Sequence, residues 1–428
     1  MKHSNKNIRV LFLTVLTGLS LFTQSATAEE DYGIRAFYGD RMLDRVVVVD
    51  VQNMELTADI STVGIDPYPV DQAGTLDKVY AITRGSNSID VYDATSMQLL
   101  SVMELEHYPR SSEAYNSTLG LQLVTGVDKP MASLIDVKRD LVVASVGDNS
   151  LTSPFDYGGS NATGHPYWFD ESKFALIDRG NRTIHMYKVT KSKGRKGRKA
   201  RLHISLINSI QTPTAVHHFV KRDTSLLHGI NRHTYYALSE GSPDSGISPS
   251  ILEYAIVRGR LVFVKEIRLS EDNIENMGSH HADLHPDGIH LYVGSTEGNV
   301  YVVNIENMQV VSVIEAGLGA GHTTFVPEKN IAIVTNHKDT FVTIVDTINH
   351  KSIKNVTVSG ESINDEILQS HSSFISPDMN FFYAFATDNG IFYELNLETL
   401  EVSRTLKTGG TPLQGVFMCQ GAECENLM

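Results

Sequence analysis

The sequence predicts an all-β fold: a single β-propeller of four-stranded blades, eight in number, closed by pairing of its N- and C-terminal strands. Three observations carry the prediction. Runs of four to eight residues rich in Val, Ile, Tyr and Phe are bounded by Asn, Asp, Gly or Pro, the punctuation of strands and hairpins. Helical periodicity is nearly absent beyond the first 28 residues. The runs also recur in groups of four over forty-odd residues, which is the period of a propeller blade.

The chain opens on a leader. Lys2, Lys6 and Arg9 precede the apolar run Val10 to Phe22, and Ala26-Thr27-Ala28 supplies a small-x-small cleavage site, so residues 1–28 read as a cleaved signal peptide. The apolar run is shorter than the ~20 residues needed to span a bilayer. A periplasmic or secreted product is expected. Cleavage removes three of the 36 Lys and Arg and none of the 50 Asp and Glu, so the formal charge moves from −14 to −17 (33 against 50). That balance opposes binding to nucleic acid and to anionic membranes.

Residues 29–418 then form the propeller. Arg35 to Thr62 offers only three strands, and the missing fourth is Pro412 to Met418 at the far end, which closes the ring and leaves no open sheet edge. Tyr68 to Leu105 is a loose copy of the repeat, and Pro109 to Gly147 a poorer one; as an insertion it would lower the count to seven. His165 to Gln211 and His218 to Ser270 follow. The clearest copies begin at His281, His322 and His371, with turns at Pro286-Asp287-Gly288, Pro327-Glu328-Lys329 and Pro377-Asp378. Residues 419–428 are a tail with the only two cysteines, Cys419 and Cys424, expected to close a disulfide in an oxidising compartment; a thiolate metal site is the alternative. Seven basic residues crowd Lys191 to Arg201, between two strands of one blade, and read as a solvated hairpin tip or a docking patch for an acidic periplasmic partner.

The stretch Gly321 to Asp346, GHTTFVPEKNIAIVTNHKDTFVTIVD, resembles the repeat of YVTN-type and cytochrome d1-like propellers, and His281 to Asn304, with HPDGIHLYVGS and VYVVN, is similar. The resemblance covers about His165 to Met418 and implies fold more than chemistry, because this fold carries enzymes, cofactor binders and adhesive repeats.

The histidines are the strongest functional signal. His165, His218, His281 and His322 each stand five residues before the turn that follows the first strand of their blade, and His371 stands six before its own. The first strand of a blade is innermost, so five successive blades aim imidazoles at one channel mouth. Crowded, buried imidazoles must stay neutral or find compensation, which a bound cation supplies. His337, in the turn after the second strand, is expected on the same face, whereas His228 and His285 fall outside the register. His217-His218 and His280-His281 are doubled, and alternation along an extended chain assigns one of each pair a supporting role. Neutral imidazole suits copper or zinc.

The resemblance adds precedents. Multi-histidine copper enzymes on propellers, nitrous oxide reductase and thiocyanate dehydrogenase, look architecturally similar, although this chain lacks the cupredoxin domain of the former. Zinc metallochaperones also use propellers. A haem d1 propeller holds its macrocycle over the same mouth with one or two axial histidines, fewer than this ring offers. The sequence therefore points to a transition metal, copper or zinc, held by His165, His218, His281, His322, His371 and His337. The protein would act in metal handling or in redox chemistry, the latter with Asp178, Arg179 and Glu240 as candidate acid/base groups; an empty interaction scaffold is the alternative.

Overall fold

The computed structural model describes residues 33–150, 161–192, 201–220, 234–242, 245–272 and 274–419. The leader, most of the basic stretch, His228 and Cys424 lie outside them. Among the described residues no helix is long and apolar enough to cross a membrane.

The strands form eight four-stranded antiparallel sheets in a propeller ring, numbered here as blades 1 to 8 in chain order. Seven are simple meanders. Blade 1 has the order Glu55–Ser61, Arg45–Asp50, Ile34–Asp40, Pro412–Cys419, so the last strand of the chain is its innermost one. The ladder runs from Ile34 opposite Cys419 to Asp40 opposite Pro412. Cys419 is disulfide-bonded, and Cys424 is the only other cysteine in the chain.

The residues from Pro109 to Gly147 are a full blade 3, with strands Pro109–Asn116, Leu121–Gly126, Met131–Asp136 and Leu141–Gly147. The count is therefore eight, and the insertion reading is corrected. Its repeat is weak in part because polar Gln122 occupies a buried second-strand position that is apolar in later blades, as at Ala332 and Phe382.

Burial explains the sequence pattern within each blade. The second and third strands are covered on both faces and read as near-continuous apolar runs, as in Phe381–Ala386 and Phe341–Asp346. Outer strands such as Glu401–Lys407 and Lys351–Thr357 are largely exposed and carry Lys, Arg and Glu, which guard a free edge against pairing. Eight apolar clusters hold the ring, one at each seam between neighbouring blades. The cluster that closes the circle sets Ile34, Tyr38 and Val47 of blade 1 against Tyr383, Phe385 and Phe392 of blade 8.

In the sequence the basic stretch falls where the repeat put it, between the third and fourth strands of blade 4, Thr183–Lys191 and Leu202–Gln211.

Candidate metal centre

Two positions of the blade recur among the residues that line the channel mouth. One is the start of the innermost strand; the other is the residue just past the second strand. At the first, the ladder breaks register in six blades; in blade 1 the break falls on Leu413, and in the other five it takes in Tyr68, Arg110, His217, His322 and His371. A bulge of this kind re-aims the side chain that a regular strand would turn into the blade. At the second position stand Arg84, Arg179, Glu240 and His337, directly after strands ending at Thr83, Asp178, Ser239 and Asn336.

Together they enclose a cavity of about 640 Å3. Eight histidines from five consecutive blades line it: His165, His217, His218, His280, His281, His322, His337 and His371. Their rings form one continuous contact network. His165 lies 4.7 Å from His217, His217 5.1 Å from His280, His281 3.7 Å from His322, and His337 4.4 Å from His371, centroid to centroid. His281 joins the two ends, 5.8 Å from His217 and 5.5 Å from both His337 and His371.

Two groups bring three donor atoms within 4.8 Å of one another: His281, His337 and His371, and His217, Glu240 and His280. They differ in chemistry. In the first group His337 Nδ1 donates to the Gln369 carbonyl at 2.9 Å, which leaves the lone pair on Nε2, and that buried nitrogen has no partner among the described residues. Tyr68 Oη meets His371 Nδ1 at 3.2 Å. One ring nitrogen fixed by an outer partner and the other turned to the cavity is the usual arrangement of a metal-ligating imidazole. Gly321 makes room for it: a Cβ there would lie 2.2 Å from His337 Nε2.

The second group is already engaged. Arg179 grips Glu240 through two hydrogen bonds of 2.6 and 2.7 Å, with both side chains fully buried. Arg110 Nη2 lies 3.1 Å from His217 Nε2, and a guanidinium only donates, so that nitrogen must accept. In its neutral form His217 then carries its proton on Nδ1, 3.1 Å from His218 Nδ1, while His218 Nε2 is 3.4 Å from the Ala282 carbonyl. His217 and His218 thus both face the cavity, because the bulge between Val216 and His218 breaks the alternation expected of a doubled pair. His280 also faces it, 3.5 Å from Glu240.

Burial and mutual repulsion keep five of these rings neutral. Burial first, then neighbouring imidazoles, hold His217, His281 and His371 well below the ordinary histidine range; for His217 and His371 that repulsion includes His165. His218 is lowered to about 4 by burial and then by His165. Burial lowers His337 to about 3 against the opposing pull of its bond to Gln369. Neutral rings at pH 7 are ready-made donors for a cation.

Of the residues singled out in the sequence, His281, His337 and His371 converge and His322 stacks against them. His165 and His218 line the same cavity on its other side, with His165 Nδ1 3.1 Å from Glu113. Arg179 and Glu240 form the buried pair just described. Asp178 turns away: it caps the following turn through Asn181 and lies 3.9 Å from His185, so it takes no part in the cavity. His285 sits at the far end of its strand against Asp287 and Tyr292. Sequence reading missed Arg84, Arg110 and Tyr68. Arg84 shares the place of His337 in the repeat, and that register would have found it.

No protein-family model and no curated protein matches the chain. Among solved structures it is similar to apo AztD from Citrobacter koseri, at 11% identity over 90% of this chain and 97% of that one, with a TM-score of 0.59. It is also similar to the dihydro-heme d1 dehydrogenase NirN in complex with DHE, at 11% identity over 92% of this chain and 76% of that one, TM-score 0.62. BamB from Moraxella catarrhalis matches at 12% identity over 86% of this chain and 97% of that one, TM-score 0.54. These similarities establish the fold and agree with the cytochrome d1-like, YVTN-type repeat seen in the sequence.

Proposed function

We propose that this protein is a transition-metal-binding propeller that handles copper or zinc, with His281, His337 and His371 as ligands and His322 completing the set. The single observation that carries the reading is the buried, unpartnered Nε2 of His337 between two further neutral imidazoles. Three imidazoles with room for a fourth donor suit zinc and copper alike. The leader read in the sequence suits a role outside the cytoplasm.

A second reading, metal-dependent redox chemistry, draws on the open cavity in front of the histidines, which leaves room for a substrate. Metal analysis of untagged protein purified from the periplasm tests the first claim: at least one equivalent of copper or zinc is expected, and a metal-free protein that takes up neither would overturn it. Release rate separates the two roles. A handling protein surrenders its metal to a mild chelator within minutes, whereas a redox centre retains it.

A further inference from the structure

Beside the histidines the same cavity is lined by side chains of opposite character. Blades 2, 3 and 4 contribute Arg84, Arg110 and Arg179, all lining the cavity. Only Arg179 is neutralised, by Glu240. Arg84 lies over the Tyr68 ring, 4.8 Å from its centroid, and donates to the Asn161 side chain, which is uncharged. Arg110 spends Nη2 on a neutral imidazole, and its Nη1 is buried with no partner among the described residues. No carboxylate among the described residues bonds Arg84 or Arg110.

Arg110 is buried and Arg84 half-buried, and the carboxylates near them, Asp66, Glu113 and Glu240, are engaged by Arg41, His165 and Arg179, so two guanidiniums without an ion pair of their own are costly there. Burial, and then repulsion from Arg179 and Arg84, lowers Arg110 to about 9, and burial lowers Arg84 as well. The chain is strongly acidic in total, with a formal charge of −14, so this local excess of positive charge is set against the field of the whole molecule.

We propose that Arg84 and Arg110 form a seat for a compact oxyanion, one with at least two acceptor oxygens, that enters the cavity beside the histidines. Guanidinium forks match the paired oxygens of carboxylates and of tetrahedral oxyanions, and Arg110 Nη1 supplies a donor that nothing else uses. The inference stands on the arginines alone and is independent of the metal.

Calorimetric titration of metal-free, untagged protein tests it, with inorganic phosphate in one arm, acetate in a second, and chloride at equal ionic strength as the control. We expect saturable one-to-one binding in at least one oxyanion arm and none with chloride; the arm that binds tells an inorganic anion from a carboxylate. Arg110→Gln and Arg84→Gln should each weaken binding at least about tenfold, the effect of losing a charge-assisted hydrogen bond. His285→Ala, outside the cavity, should leave it unchanged. Should Arg110→Gln fail to fold, Arg84→Gln decides, since Arg84 bonds only the Asn161 side chain. Absence of saturable binding, or unchanged affinity in a folded arginine variant, would overturn the proposal.

Discussion

The two walls of the cavity are built at the same two positions of the blade and differ in what occupies them. In blades 4 to 8 the inner-strand position carries imidazoles and His337 adds one at the second position, where blades 4 and 5 hold Arg179 and Glu240; blades 2 and 3 carry Tyr68, Arg84 and Arg110. The backbone devices are shared, because the inner strands break register at Tyr68 and Arg110 just as they do at His217, His322 and His371. The propeller therefore supplies positions, and side-chain choice supplies chemistry. One wall is neutral and able to donate electron pairs to a cation, while the other keeps its positive charge although buried.

The comparison can be broken most completely by removing its frame. Deleting everything after Gly410 strips the innermost strand from blade 1, with the buried Leu413 and Met418, and opens the ring. We expect a loss of more than about 5 kcal/mol, seen as aggregation on expression. A truncated protein that melts within a few degrees of the parent would refute closure by this strand.

A smaller and more local break separates structure from ligand binding. Arg179→Met leaves Glu240 buried without its partner and should cost roughly 3 to 5 kcal/mol in chemical denaturation. Glu240→Gln with Arg179→Met should recover part of that loss, since no unpaired charge remains.

The histidine wall also carries its own pH signature. His217, His281 and His371 are held well below the ordinary range, His218 at about 4 and His337 at about 3. Unfolded, each takes up a proton near pH 6.5. Below that value the unfolded state binds more protons than the folded one. The wall is thus fully tolerated above about pH 6.5, and stability is lost as pH falls toward 4. The melting temperature of metal-free protein should therefore drop between pH 7 and pH 5, and His281→Ala should flatten the drop. A parent curve flat over that range would mean the rings are protonated in the fold.

The smallest effect lies outside both walls. Reducing the disulfide of Cys419 should cost at most about 2 kcal/mol, because the loop it closes is short. Metal affinity should not change on reduction; a change would bring the cysteine pair into the site.

How much of this was legible in the sequence follows from what kind of signal each feature leaves. The clear blades were readable because their second and third strands are apolar without interruption, and the closing strand because blade 1 was one strand short. Blade 3 was obscured by buried polar residues whose hydrogen bonds, such as that of Gln122 to the Ser112 carbonyl, are invisible to a hydrophobic pattern. The histidine register survived because a rare residue type repeated at one place. The pair His217-His218 misled because a bulge, which no residue type announces, suspends the alternation of a strand, and His280 lies before its strand begins, where alternation does not apply. Arg84 and Arg110 went unnoticed because arginine is ordinarily a surface residue, and only the fold shows these two to be lining a cavity.

The most direct test of the account is titration of metal-free protein with copper(II) and zinc at pH 7.5, comparing the parent with His337→Ala, Gly321→Ala and His285→Ala. His337→Ala removes the unpartnered nitrogen, and Gly321→Ala drives a methyl group against it from 2.2 Å. Each should weaken binding at least about tenfold, no less than loss of an outer-shell partner does. His285→Ala, at the far end of its strand, should match the parent. If the parent bound neither metal with a Kd below about 1 μM, or if all three variants bound as the parent does, the histidine wall would be no metal centre.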